Sequence, residues 1–115
     1  SESILREKAK ELAKNIVFIT REIKANNKES VLTNQLLRSE QALAQNPLTQ
    51  YAQGTADFIS KLEIALKECF ESEYWLELLF ETGYLEENQY KKLNNNCGAI
   101  RKMLISSCKT LKEKK

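Results

Sequence analysis

The sequence predicts an all-α fold, an antiparallel up-and-down four-helix bundle, and three observations predict it. Apolar residues recur every three or four positions along four separate stretches, the mark of helices with one buried face. Turn formers are scarce, with three glycines and one proline in 115 residues, whereas an all-β chain needs a turn every ten residues or so. Capping residues fall between the four stretches. At this length the chain forms one domain, residues 1–115, and folding hides roughly 65% of the unfolded surface, enough for one modest core. An apolar share of 42% beside a charged share of 30% excludes collagen and disordered linkers. No apolar run approaches the ~18 residues of a membrane span.

The first helix is expected over 2–25, with Leu5, Ala9, Leu12, Ile16, Ile19 and Ile23 on one face. Asn26 followed by Glu29 reads as a capping box for a second helix over 29–46, which buries Leu32, Leu36, Leu37 and Leu43 beside Ala42 and Ala44. Pro47 lacks an amide donor and ends or kinks that helix at Asn46. Gln50 to Gly54 reads as a connection and Thr55 as the N-cap of a third helix over 56–82. Its inner face carries Phe58, Leu62, Ala65, Leu66, Cys69, Leu76, Leu79 and Phe80, and Gly83 supplies a left-handed C-terminal cap. The fourth helix, 86–111, presents Tyr90, Leu93, Cys97, Ile100, Leu104, Cys108 and Leu111. Short joints between four such rods make neighbours antiparallel.

Net charge is only +2, but it is unevenly spread. Residues 55–90 hold nine acids against two bases, and residues 91–115 hold eight bases against one acid. Two readings compete: the segments lie side by side and neutralise each other, or the basic one faces an anion such as RNA. Both can hold, because only one flank of a helix meets its neighbour.

Candidate chemistry is sparse. The chain has no histidine, which removes Ser–His and Cys–His nucleophiles, the common zinc sets and the Glu-x-x-His pairs of di-iron bundles. Gly54, Gly83 and Gly98 stand alone, so there is no glycine-rich phosphate loop. Three cysteines, an odd number on the apolar stripes, read as buried thiols in a reducing cytoplasm rather than as a disulfide framework or nucleophiles. The reading is therefore no enzyme, no catalytic residue, no metal and no cofactor. Arg38 and Glu73 interrupt apolar faces, and a charge there needs a partner, so the two are expected to pair between helices two and three. Phe70, Tyr74 and Trp75 leave the narrow seam; they either widen the core or form a self-association patch, with Val17 and Phe18 on the same belt, and the second reading is preferred.

The stretches Gln35-Leu36-Leu37-Arg38-Ser39, Ala52-Gln53-Gly54-Thr55-Ala56-Asp57-Phe58-Ile59 and Leu62-Glu63-Ile64-Ala65-Leu66-Lys67-Glu68 resemble the bacterial four helix bundle protein family, encoded by intervening sequences within large-subunit ribosomal RNA genes. Glu71-Ser72-Glu73-Tyr74-Trp75-Leu76 and Thr82-Gly83-Tyr84-Leu85 extend the likeness over about 4–112. Glu40 to Thr49 departs from it, with Pro47 after the matching Asn46 where relatives carry small residues and an acid. The resemblance implies the bundle and a ring-like homopentamer. A related group, the accessory proteins of diversity-generating retroelements, forms similar rings that bind nucleic acid together with a reverse transcriptase.

The leading expectation is a non-enzymatic, cytoplasmic homo-oligomer that binds structured RNA or DNA through Lys10, Lys14 and Arg21 of helix one and Lys91, Lys92, Arg101, Lys102 and Lys109 of helix four. The alternative is a protein-interaction module that binds no nucleic acid and docks its partner on the acidic third helix or the aromatic belt. A carboxylate–metal enzyme is a distant third.

Overall fold

A computed structural model describes residues 2–45 and 54–113. Four helices follow one another: α1 Glu2–Asn27, α2 Val31–Gln45, α3 Thr55–Glu81 and α4 Glu87–Glu113. The described residues contain no strand. Each helix packs on the next, α4 returns to α1, and neither diagonal pair brings its Cα atoms within 8 Å. This is the closed cycle of an up-and-down bundle. Antiparallel pairing shows in the cross-links between α3 and α4, where Phe80 stacks on Tyr90, Glu73 meets Arg101 and Glu63 meets Lys112. The bundle measures 49 by 21 by 20 Å, as expected for 27-residue helices of about 40 Å.

The joints follow from local chemistry. α1 runs two residues past its expected end, and Lys28 then turns left-handed (φ 57°), its amide donating to the Lys24 carbonyl at 3.1 Å. Asn26 is therefore inside α1 and caps nothing. Glu29 caps α2 alone, its carboxylate accepting the amides of Leu32 at 2.8 Å and Thr33 at 3.0 Å. Partial burial works against the charge on Glu29, yet these bonds outweigh it and hold its carboxyl below the usual range. At the start of α3, Thr55 is already helical; Gly54 occupies the N-cap position with no side-chain cap bond. Gly83 ends α3 as expected. Its φ is 89°, its amide donates to Phe80, and the Tyr84 amide reaches back to Leu79 at 2.9 Å. These are the two bonds of a Schellman cap, and Leu85 is buried beneath it. Asn46, Pro47 and the expected connection up to Gln53 lie outside the described residues.

Four apolar stripes meet in one core: Leu5, Ala9, Leu12, Ile16 and Ile23 from α1, Leu36 and Leu43 from α2, Leu62, Ala65, Cys69, Leu76 and Leu79 from α3, and Leu93, Cys97, Ile100, Leu104 and Cys108 from α4. Each fully buried leucine or isoleucine contributes about 2 kcal/mol, so this cluster dominates the fold. Leu66, Phe58 and Phe80, expected on the inner face of the third helix, pack half-buried at the core's margin.

Five polar residues share the core: Thr20, Thr33, Ser39, Glu40 and Ser72. Thr20 and Ser72 donate their hydroxyls to carbonyls of their own helices, those of Ile16 and Glu68, and Thr33 donates to the Glu29 carbonyl just ahead of α2. Glu40 differs. It is 3% exposed, its Oε1 has no hydrogen-bond partner, and burial pushes its carboxyl up to about 7.

Candidate nucleic-acid interface

Helical spacing decides where each cation points. On α1, Lys10, Lys14 and Arg21 are exposed and share a side with Lys24, whose ammonium donates to Asn34 of α2 at 2.6 Å. They therefore sit on the α2-facing flank. The flank of α1 that meets α4 carries Lys8 and Glu11 instead, which line a small cleft with Asn96 and Ala99. On α4, Lys91, Lys102 and Lys109 are spaced by eleven and seven residues, recur on one side of the helix and are exposed. Lys92 lies one turn before Asn96, on the flank toward α1.

Arg101 is not a free cation. Its Nε donates to Glu73 at 2.9 Å and its guanidinium lies 5.7 Å from the centre of the Phe70 ring. The bond to Glu73 holds the guanidinium pKa above its ordinary value. Lys112 likewise crosses to Glu63 at 3.3 Å. The acidic and basic segments thus neutralise each other in part along the α3–α4 seam. The eight bases do not form one face: three line the α2 side of α1, three line the outside of α4, Lys92 borders α1, and Arg101 is consumed internally.

The expected Arg38–Glu73 pair is not formed. Arg38 reaches Glu68 at 3.7 Å and Glu71 at 3.6 Å. Those acids are three apart on α3 and share its α2-facing side, whereas Glu73, two residues beyond Glu71, turns to α4. Burial and the neighbouring Glu71 push the Glu68 carboxyl up, and Arg38 offsets this in part.

The aromatic group divides. Trp75 packs against the core margin, with Tyr74 edge-on to it at 4.9 Å. Phe70 and Tyr74 are about half exposed, and Phe18 on α1 is 65% exposed with Val17 beside it. Trp75 thus widens the core margin while Phe70 and Tyr74 stay outward, because successive residues on a helix diverge by about 100°.

All three cysteines are buried free thiols. Cys69 donates to the Cys97 carbonyl at 3.3 Å. The contact with Cys69 and then burial push the Cys97 thiol far up, and burial raises Cys108. Neither thiol is primed as a nucleophile. Among the described residues, no three His, Cys, Asp or Glu side chains gather to hold a metal ion, and no helix is long and apolar enough to cross a membrane.

Residues 1–106 match the family described as 23S rRNA-intervening sequence protein. A crystal structure of a protein of unknown function from the S23 ribosomal protein family of Bacteroides thetaiotaomicron is 42% identical and superposes with a TM-score of 0.90, covering 94% of this chain and 97% of that one. No curated protein matches the chain.

Proposed function

From a chain that belongs to the 23S rRNA-intervening sequence protein family, we propose a non-enzymatic, self-associating scaffold that binds structured RNA through the outer face of α4. The observation that carries this reading is the stripe of Lys91, Lys102 and Lys109. It spans about 27 Å at 1.5 Å per residue. Its only ion pair among the described residues is the weak contact of Lys91 with Glu87 at 3.8 Å, two-thirds exposed on both sides. Flexible ammonium groups on a straight rod suit phosphates along a folded RNA and carry little base discrimination.

Self-association is supported by the exposed Phe18, Phe70 and Tyr74, residue types that interfaces favour. The experiment is fluorescence anisotropy with a structured RNA across a salt series. Affinity is expected to fall steeply with salt, and the K91A/K102A/K109A variant is expected to lower the log–log slope by about 2 to 3. Salt-independent binding, or none, removes the RNA reading. A wild-type chain that sediments as a 13.3 kDa monomer at micromolar concentration removes the oligomer.

A further inference from the structure

We propose that the seam between α1 and α4 is closed by bound water, held between the carboxamides of Asn15 and Asn96 beside Lys8 and Glu11.

Three observations carry it. First, two donors in this seam are orphaned. The Nδ2 atoms of Asn15 and Asn96 are buried without a hydrogen-bond partner, although buried polar atoms are nearly always paired, with protein or with ordered water. Asn96 lines the small cleft between the two helices together with Lys8, Glu11 and Ala99. Asn15 follows Lys8 by seven residues and Glu11 by four, so it shares their side of α1. Second, the other three seams are closed by direct side-chain bonds. Lys24 reaches Asn34 at 2.6 Å between α1 and α2, Arg38 reaches Glu68 at 3.7 Å between α2 and α3, and Arg101 reaches Glu73 at 2.9 Å between α3 and α4. Lys8, Glu11, Asn15 and Asn96 make no such bond among the described residues.

Third, the cleft fits water and little else. It measures about 40 Å³, above the ~10–15 Å³ that one water needs and far below the ~300 Å³ at which ligand pockets begin. Its walls carry both signs of charge. Glu11 opposes an anion and Lys8 opposes a cation, whereas water donates to a carboxylate and accepts from amide and ammonium groups. A buried water needs two to four polar partners, and these four side chains supply them. Water thus takes the part in this seam that direct bonds take in the other three.

The test is the nuclear Overhauser contact between water and the carboxamide protons in the isotope-labelled 115-residue chain, with circular dichroism to confirm the helicity of each variant. In the wild type, both carboxamides are expected to give laboratory-frame and rotating-frame cross-peaks to water of opposite sign, the mark of water held by the protein. Lys8→Met removes the exchangeable ammonium protons, and the cross-peaks are expected to persist. Asn96→Leu removes one partner and fills the cleft with an apolar side chain, and the Asn15 cross-peak is expected to be lost. In a high-resolution crystal structure, ordered water is expected within about 3.2 Å of each Nδ2 atom. Carboxamides without cross-peaks in the wild type, cross-peaks that vanish in Lys8→Met, or an Asn15 cross-peak unchanged by Asn96→Leu overturn the proposal. So do carboxamides bonded in the crystal to protein groups alone.

Discussion

Glu40 makes stability fall with rising pH. Its carboxyl is pushed from 4.5 to about 7 by burial on α2, about 2.5 units at about 1.4 kcal/mol each, so charging it costs the fold up to about 3 kcal/mol. Between pH 4.5 and 7 the folded chain keeps a proton that the unfolded chain has released. Stability therefore declines across that window by up to about 1.4 kcal/mol per pH unit and levels off on either side. Glu40→Gln keeps the shape and removes the titration. Its amide leaves an unpaired donor costing about 1–3 kcal/mol, but that penalty is the same at every pH. The decisive quantity is thus how the difference between variant and wild type changes with pH. Relative to wild type, the variant should gain about 3 kcal/mol between pH 4.5 and 8, roughly 10 °C in Tm for a chain of this size. Thermal melts followed by circular dichroism at half-unit steps read this directly. Glu68 and Cys97, also raised, are common to both proteins and cancel in the difference. A difference in Tm that stays constant from pH 4.5 to 8 refutes the reasoning.

The cap at Glu29 has the opposite sign. Its folded carboxyl lies below 4.5, so its contribution is present above that pH and lost as pH falls through the lowered value; Glu29→Ala should cost about 1 kcal/mol at pH 7 and progressively less in acid melts. A double-mutant cycle on Glu73 and Arg101, 2.9 Å apart with side chains 19% and 31% exposed, should give a coupling of about 1 kcal/mol that weakens with salt. The same cycle on Arg38 and Glu68, 3.7 Å apart with Arg38 54% exposed, should give close to none.

The apolar stripes were legible in the sequence because removing a helix face from water demands apolar side chains at a fixed period, and nothing else produces that period over 25 residues. The polar part of the core leaves no such trace. Thr20, Thr33 and Ser72 return their hydroxyls to the backbone carbonyl four residues earlier, so each enters the seam already satisfied, and a reading by apolarity passes over it for neighbours such as Ile19 or Glu73. Ion pairs were legible in sign only: opposite charges on α3 and α4 announce attraction, but the flank on which each acid lies decides whether Glu73 meets Arg38 or Arg101. The functional surface is what this internal pairing leaves over. Arg101 and Lys112 cross from α4 to acids of α3 and are neutralised there. Exposed cations with no ion pair among the described residues include Lys102 and Lys109 on the outside of α4 and Lys14 and Arg21 on α1. The same subtraction applied to the aromatic residues removes Trp75, which the core margin uses, and keeps Phe18, Phe70 and Tyr74. Because the α1 cations lie beside Phe18, self-association that covers Phe18 also covers Lys14 and Arg21. Association through Phe18 would leave the α4 stripe exposed, so the proposed self-association and RNA binding would occupy different faces and proceed together.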